Sequence, residues 1–356
     1  MNLGSGFYRA TRDARRVLVI DPGMLGDTLH LLPALREVRR NYPQAEIHVV
    51  CSPVGAEVHQ MAGVAHRLWV LPQARAQRRL AGQLRLLLAL RRLRFDVSIN
   101  FGSNDRNLVY AAVIGARRRL GQKRDRWHFW SGWCVPHWVT VQDRNQPAFE
   151  QRREVLTAAG FPLKPPTFDL AIPDDARAWA AARLPGTAIH FSLNASTILK
   201  EWPLANWIDL ARLLAKSGSQ LRIVATGSGQ PRERQRLEAF RAALDSYSSS
   251  VQIFSGLSIA QLAALLSRCS LHVGADSGVL HLAAAVGTPT ISLFRKYPGL
   301  EGWLPRGPQH RVLTVECGCV GLKRPPCLES QTSACLAGIK PEVVARAVLE
   351  PAREVK

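Results

Sequence analysis

The sequence has no apolar run long enough to cross a membrane. Its longest purely aliphatic runs, such as residues 86–90, are far shorter than the ~20 residues that a membrane helix needs. Arg9, Arg12 and Arg15 interrupt an N-terminal segment that has no apolar core region, so we predict no secretory signal. Internal repeats and low-complexity segments are also absent. With 47% hydrophobic and 21% charged residues, the composition excludes a disordered or fibrous chain and indicates a soluble, cytoplasmic globular protein.

Acidic side chains are scarce. The 356 residues include 47 Lys and Arg but only 27 Asp and Glu, which gives a net charge of +20. Residues 1–165 hold 26 basic and 12 acidic side chains, whereas residues 166–356 hold 21 and 15. This charge favours an anionic partner, and we expect the first half to contact it. The alternative is an arginine-rich composition that serves no specific partner.

Short β-branched runs alternate with helical patterns along most of the chain, which predicts an α/β fold with parallel sheets. A segment rich in proline and glycine, residues 160–175, is the best candidate linker. We therefore predict two doubly wound domains, 1–165 and 166–356, with a cleft between them and a C-terminal helix that could pack back on the first domain. The long helix predicted over residues 75–94 has an apolar side that we expect to face the core, made of Leu80, Leu84, Leu87, Leu88 and Leu90.

Ligands of such sheets bind at the carboxyl ends of the strands, so the loops there carry the chemistry. The sharpest of them runs Gly274-Ala-Asp276-Ser277-Gly278, after a predicted strand and before a predicted helix that contains His281. Free backbone N–H groups and the helix dipole at Ser277 and Gly278 would form an anion site. The alternative is a plain helix cap.

Three segments resemble glycosyltransferase family 9, the bacterial ADP-heptose heptosyltransferases of lipopolysaccharide synthesis. The C-terminal one reads Asp276-Ser-Gly-x-x-His281-x-x-Ala-Ala-x-Gly287-x-Pro289. The N-terminal one includes Leu25-Gly26-Asp27-Thr-Leu-His30-Leu-Leu-Pro33, and the middle one reads Lys200-Glu-Trp202-Pro203-x-x-x-Trp207. The three occur in the family's order across nearly the whole chain.

The resemblance implies a GT-B fold, two Rossmann-like domains with an inter-domain cleft, in which the first domain binds the acceptor and the second binds the nucleotide-sugar. It implies inverting transfer of heptose from ADP-heptose to an anionic acceptor, inner-core lipopolysaccharide, at the cytoplasmic face of the inner membrane, with peripheral membrane contact. No cofactor is then required for catalysis. Relatives that act on a protein, the autotransporter O-heptosyltransferases, leave a Ser or Thr acceptor as the alternative, and a nucleotide-sugar epimerase shares the architecture.

Asp27 follows Gly26 at the head of the first predicted helix, where the helix N-terminus stabilises the anionic carboxylate that a general base requires. By resemblance, Asp27 removes the proton of the acceptor hydroxyl. The positive charge of Lys200 suits a departing diphosphate, which is the role that the resemblance gives it. A helix cap and a solvated surface lysine are the respective alternatives.

Further donor contacts are expected in the second half. Ser196 and Thr197 could donate hydroxyls to the phosphates, and Asp276 and His281 bind or orient the donor. A glycine turn at Gly227 could admit the nucleoside, with Glu233 accepting from the ribose hydroxyls, although a bare loop fits this pattern equally well.

Asp21 departs from the resemblance, because the family commonly has a basic residue at the end of the first strand. With Asp21 in this place, either the acceptor differs from the family's usual lipid A–Kdo core, or another arginine replaces the missing basic residue. Cations and aromatics also mix in residues 117–138, which suits a glycolipid at a membrane surface, a single-stranded nucleic acid or a domain core. A basic nucleic-acid-binding protein is therefore the alternative from another class, although the resemblance gives no nucleic-acid partner.

Four of the seven cysteines cluster near the C-terminus with C-x-C-x7-C-x7-C spacing: Cys317, Cys319, Cys327 and Cys335. Four thiolates could hold a structural zinc or iron ion, as in some relatives. The C-x-C pair is tighter than the usual C-x2-C spacing, so free thiols remain the alternative.

Overall fold

The structure, a computed structural model, describes residues 4–72, 76–102, 104–123, 128–143, 145–217, 221–245 and 250–350. The chain forms two compact units, Met1–Ala171 and Ile172–Lys356. Each unit holds a parallel six-stranded sheet with helices packed against it. Among the described residues, no helix is both long and apolar enough to span a membrane.

The first sheet has the strand order β3-β2-β1-β4-β5-β6. Its strands are β1 (Arg16–Asp21), β2 (Glu46–Cys51), β3 (Arg67–Val70), β4 (Val97–Asn100), β5 (Arg118–Gln122) and β6 (His137–Val139). The helices of this unit are α1 (Leu25–Asn41), α2 (Pro53–Ala62), α3 (Ala76–Arg92), α4 (Asp105–Ile114), α5 (Ser131–Cys134) and α6 (Ala148–Ala158). The order reverses between β1 and β4, which makes this pair the topological switch point.

The second sheet, read from its other edge, has the order β9-β8-β7-β10-β11-β12, which is the same topology. Its strands are β7 (Ala188–Ser192), β8 (Ile223–Gly227), β9 (Val251–Ser255), β10 (Cys269–Ala275), β11 (Thr290–Arg295) and β12 (His310–Val315). The helices are α7 (Asp174–Arg183), α8 (Leu204–Lys216), α9 (Pro231–Ala242), α10 (Ile259–Ser267), α11 (Gly278–Ala285), α12 (Pro326–Glu329) and α13 (Pro341–Leu349). The switch point lies between β7 and β10.

The cores of both units are built from the inward faces of strands and helices. In the first unit, Leu18 and Ile20 of β1 pack with Leu87 and Leu90 of α3. In the second unit, Trp202 and Trp207 are fully buried, with ring centroids 4.9 Å apart, and each contributes at least about 1.5–3 kcal/mol by burial. Both tryptophans are therefore packing residues of the core.

The C-terminal segment packs within the second unit. The indole of Trp202 donates to the carbonyl of Ile339 over 2.9 Å, and α13 lies against α8. Its contacts with α8 bury Val344 and Ala345 in the core of the second unit.

The outward leucines of α3 correct a prediction. Leu87 and Leu90 are buried as expected, but Leu80, Leu84 and Leu88 are 70%, 50% and 45% exposed. The helix is therefore apolar on two sides, and periodicity alone does not distinguish them. Position 75, at which we expected this helix to begin, lies outside the described residues.

The mixed basic and aromatic stretch, residues 117–138, forms β5, α5 and β6. Trp130 packs on the core and Trp138 stacks beneath Lys123, with Nζ 4.5 Å from the ring centroid. Phe129 and Trp133 are instead 99% and 76% exposed. The stretch is thus partly core and partly surface. Its residues 124–127 lie outside the described residues.

Candidate functional site

The predicted site residues lie at the two switch points. In the first unit, Asp21 ends β1, and α1 begins at Leu25 after a short loop that leads to Asp27. In the second unit, Lys200 lies in the segment that follows β7, and Asp276 follows β10 directly. A crevice at the carboxyl ends of the strands opens where the strand order reverses, so each position suits a ligand. Each half is described separately below.

Asp27 lies in the first turn of α1 and has two protein partners. Its Oδ2 accepts the backbone N–H of Met24 at 3.3 Å, which ties the loop to the helix start. Its Oδ1 accepts from Arg152 Nη2 at 3.2 Å. Arg152 lies on α6, which packs against α1, and its other amino group donates to the carbonyl of Ala148. The Asp27 side chain is still 41% exposed, so it has room to accept a further proton donor.

Sequence reasoning missed Arg152. The residue is 125 positions from Asp27, and nothing in its local sequence distinguishes it from the other arginines of the chain. Only the packing of α6 on α1 brings the two side chains together.

The loop between β1 and α1 is held tightly. A Cβ atom on Gly23 would lie 2.6 Å from the Cβ of Asp27 and 2.9 Å from Oδ1 of Asp21, so only glycine fits between the two acidic residues. Ser52, which caps α2, donates its hydroxyl to the carbonyl of Gly23 at 2.6 Å. Asp21 itself faces buried His59, with Oδ2 and Nε2 3.5 Å apart.

The second half of the site centres on Asp276. Lys200 Nζ lies 2.8 Å from Asp276 Oδ2, and Tyr297 donates its hydroxyl to the same oxygen at 3.1 Å. Burial and then the charge of Asp276 raise the pKa of Tyr297 well above its ordinary value, so the phenol remains a donor. Lys200 ends a 3₁₀ turn, Ile198–Lys200, and its side chain is 31% exposed. Lys200, Asp276 and Tyr297 therefore lie together, and Tyr297 was not predicted; the donor-binding roles of Lys200 and Asp276 stay predictions.

The start of α11 leaves its first backbone N–H groups without a side-chain cap. Ser277 occupies the N-cap position with an extended backbone, but its hydroxyl makes no capping hydrogen bond, and Oγ has no partner among the described residues. Gly278 is the first helical residue. The unsatisfied amides and the helix dipole favour an anion here. His281 lies one turn further on and is buried, with its ring centroid 5.7 Å from that of Trp303.

Hydrogen bonds and an ion pair of the neighbouring residues hold the segment that carries Lys200. Thr197 caps the turn by accepting from the N–H of Leu199 at 3.4 Å, while Ser196 is exposed. Glu201, which is buried, pairs with Arg232 of α9 and accepts from the N–H of Ala195. Sequence reasoning missed this ion pair, because its two members come from different elements.

The glycine turn after β8 is held by Glu233. The carboxylate accepts the N–H of Ser228 at 2.6 Å, which fastens the loop to the start of α9. A Cβ on Gly227 would lie 2.9 Å from Leu237 and 3.5 Å from the amide nitrogen of Asn194. Asn194 was not predicted. It is only 8% exposed, and neither atom of its amide has a partner among the described residues, so it is a candidate ligand contact.

Two buried histidines lie behind this half of the site. Nδ1 of His190 and Nδ1 of His272 are 2.8 Å apart, and Nε2 of His190 lies 2.9 Å from the hydroxyl of Thr226. Burial lowers the pKa of His190 to about 3, so the ring is neutral at pH 7. A Cβ on Gly274 would lie 2.5 Å from Nε2 of His272, which explains the glycine at this position of the motif.

The four C-terminal cysteines form no disulfide among the described residues. Cys317 accepts from Arg295 at 3.5 Å, Cys327 accepts from the N–H of Ala334, and Cys335 contacts the hydroxyl of Ser333. Over the part of the chain that the structure describes, no three His, Cys, Asp or Glu side chains are grouped so that they could hold a metal ion. This arrangement does not support the metal site, which stays a prediction from the spacing.

Comparison with known proteins now decides the family. The model of glycosyltransferase family 9 (heptosyltransferase) matches residues 83–330, which include Lys200 and Asp276 but not Asp27. The chain belongs to glycosyltransferase family 9. It is therefore a glycosyltransferase of the heptosyltransferase family. The predicted family and class of enzyme are confirmed.

Individual heptosyltransferases are similar to this chain over most of its length. Lipopolysaccharide heptosyltransferase 1 of Pseudomonas aeruginosa is 26% identical over 329 residues, covering 88% of this chain and 86% of the relative. The structure of Escherichia coli ADP-heptose lps heptosyltransferase II has a TM-score of 0.74 at 19% identity, covering 94% of this chain and 97% of that one.

A second solved structure, Escherichia coli heptosyltransferase WaaC with ADP-2-deoxy-2-fluoro heptose, has a TM-score of 0.70 at 20% identity and covers 94% of this chain and 98% of that one. The predicted GT-B class of fold, two Rossmann-like domains, is confirmed by these similarities together with the two six-stranded parallel sheets.

Proposed function

We propose that this enzyme transfers a heptose from ADP-heptose to inner-core lipopolysaccharide with inversion at the anomeric carbon. The observation that carries the proposal is the contact of Lys200 with Asp276 beside the uncapped start of α11. A cation and free amides at a switch point suit a nucleotide diphosphate. The names of the relatives, which are lipopolysaccharide heptosyltransferases, support the choice of donor and acceptor.

The proposed reaction is a single displacement. The acceptor hydroxyl gives its proton to Asp27 while its oxygen bonds to the anomeric carbon, and the bond from that carbon to the diphosphate breaks. ADP leaves with the electron pair, and Lys200 with the amides of Ser277 and Gly278 stabilises the added negative charge. Attack from the face opposite the leaving group inverts the configuration.

Arg152 has two parts in this proposal. Its guanidinium keeps the Asp27 carboxylate oriented, because one amino group is fixed on the carbonyl of Ala148 and the other on Oδ1. It also places a cation where an anionic acceptor would approach the base. Such a bidentate donor suits the carboxylates and phosphates of an inner-core acceptor.

On the donor side, Asp276 holds Lys200 in place until the diphosphate binds. Asn194 and the Gly227 turn are proposed to contact the nucleoside, since both lie at the same end of the sheet as Lys200. Glu233 keeps one oxygen on Ser228 and has the other for a ribose hydroxyl.

The donor is tested by thermal shift. We expect ADP-heptose and ADP to raise the melting temperature, and UDP- and GDP-sugars to leave it unchanged. The acceptor is tested by offering Kdo–lipid A and a Ser/Thr-containing protein segment in parallel, with product identified by mass. Transfer to Kdo–lipid A alone supports the proposal. Transfer only to the protein substrate, or consumption of ADP-heptose without any acceptor, contradicts it.

A further inference from the structure

Three consecutive helices of the first unit form one layer on its sheet. Helix α3 packs against α4, and α4 packs against α5. Their inner faces share one apolar core with β1, which includes Leu87, Leu108 and Cys134. We call the outer surface of α3, α4 and α5 the α3–α5 face.

The α3–α5 face carries apolar side chains that the fold does not need. Leu80, Leu84 and Leu88 follow one another at every fourth position of α3, so they lie along one side of the helix. Around α4 and α5, Val109 is 45% exposed, Trp133 76% and Phe129 99%. The spacing of the three leucines places them side by side, and exposed apolar patches of this kind mark interaction sites.

The same region is strongly basic. Helices α3, α4 and α5 together contain six arginines and one acidic residue, Asp105, a net charge of +5. Helix α3 contains five arginines and no acidic residue. On its outer side, Arg85 and Arg92 are exposed beside Leu84 and Leu88. Another surface of this sign would be repelled, so a second copy of the chain is a poor occupant.

We propose that the α3–α5 face docks on the surface of an anionic lipid bilayer. Leucines along one side of a helix, with arginines beside them, match a helix that lies in the plane of a membrane interface. Trp133 and Phe129 suit the same depth, because aromatic rings concentrate at the boundary between headgroups and acyl chains. The arginines pair with lipid phosphates while their stems cover apolar surface. This proposal does not depend on the identity of the sugar donor.

Vesicle flotation tests the proposal. We expect the wild-type protein to float with vesicles of phosphatidylcholine and phosphatidylglycerol in equal parts, and to remain in solution with phosphatidylcholine alone. Leu84→Gln/Leu88→Gln should lower the partition onto the anionic vesicles by at least about tenfold, since two leucines lose their burial in the interface. Both side chains are exposed, so the melting temperature should change little.

The second unit provides a matched control. Leu322 and Leu328 are 53% and 44% exposed, against 50% and 45% for Leu84 and Leu88. Leu322→Gln/Leu328→Gln should float like the wild type. The proposal is overturned if the wild type does not bind anionic vesicles or if Leu84→Gln/Leu88→Gln binds them like the wild type. It is also overturned if the control double variant loses as much vesicle binding as Leu84→Gln/Leu88→Gln does.

Two further measurements separate other occupants. Single-stranded RNA is titrated by filter binding, and sedimentation measures self-association. Tight RNA binding without vesicle binding would overturn the proposal in favour of a nucleic-acid surface. Dimerisation abolished by Leu84→Gln/Leu88→Gln, again without vesicle binding, would overturn it in favour of a contact between copies. ADP binding measured on each variant reports the donor site separately, so a failure of the proposed function is distinguished from a failure of docking.

Discussion

The two units have the same strand order but opposite chemistry at their switch points. In the first unit, the end of β1 and the first turn of α1 present two carboxylates, Asp21 and Asp27, and Arg152 approaches from α6. In the second, the equivalent segment presents Lys200, and an uncapped helix begins after the fourth strand of the unit. One topology thus supports a proton acceptor in one place and an anion site in another. Only the loop residues differ, which is why function is argued from sites and not from folds.

Removing the base is expected to have the largest effect. Asp27→Asn keeps the shape of the side chain but cannot accept the proton, so we expect kcat to fall by about 10²–10⁴. The Kd of ADP should remain that of the wild type, because the nucleotide site is assigned to the other unit. Steady-state transfer and calorimetric titration with ADP measure the two quantities.

Asp13→Asn is the control for this variant, since Asp13 is an exposed acidic residue of the same unit. It should transfer heptose at the wild-type rate. Near-wild-type turnover of Asp27→Asn would show that Asp27 is not the base. It would also contradict the proposal that the first unit supplies the proton acceptor.

Lys200→Met is expected to have the next largest effect. Loss of the cation should lower kcat by about 10²–10³, as for other groups that stabilise charge in the transition state. Unlike Asp27→Asn, it should also weaken ADP binding. Lys296→Met is the matched control, because Lys296 is an exposed lysine of the same unit that pairs with Glu316. Equal effects of the two lysine variants would contradict the assigned role.

Arg152→Gln tests whether Arg152 supports Asp27 in the first unit. We expect kcat/KM for the acceptor to fall by about tenfold, since one charge-assisted hydrogen bond to Asp27 is lost. The KM of the donor should not change. Arg212→Gln, at an exposed pair with Asp209, serves as the control. If the KM of the donor rises while the kinetics for the acceptor stay unchanged, Arg152 serves the donor, which contradicts the prediction.

Tyr297→Phe is expected to have the smallest effect. The change removes only the hydroxyl that shares Asp276 Oδ2 with Lys200, so we expect ADP to bind about three- to tenfold more weakly. Tyr8→Phe removes a tyrosine hydroxyl that donates to the carbonyl of Asn41 in the first unit. It should leave ADP affinity unchanged. If both variants bind ADP like the wild type, Tyr297 does not position the donor site.

The part of the fold and site that local pattern determines was predictable. The strands β1, β2 and β7 are β-branched or apolar runs, and the segments that follow β1 and β7 contain the predicted Asp27 and Lys200. Strands β5 and β6 were not predicted, because RRLGQ and HWV carry no alternating apolar pattern. Helix α7 begins inside the segment that we took for a linker, where Pro173 precedes it.

What depends on distant packing was not predictable. Arg152 and Tyr297 reach their carboxylates from elements that come later in the sequence, and a single sequence does not show which arginine or tyrosine does so. The unpartnered amide of Asn194 follows from burial, which is likewise a property of the folded chain. The outward leucines of α3 obey the same periodicity as the inward ones, so only the structure separates them.

The central claim is that the second unit alone holds the diphosphate of the donor. A crystal structure of the protein soaked with ADP tests it most directly. We expect phosphate oxygens within hydrogen-bond distance of Lys200 Nζ and of the backbone amides at the start of α11. A diphosphate bound instead by the loop that carries Asp27, with Lys200 still paired only to Asp276, would contradict it.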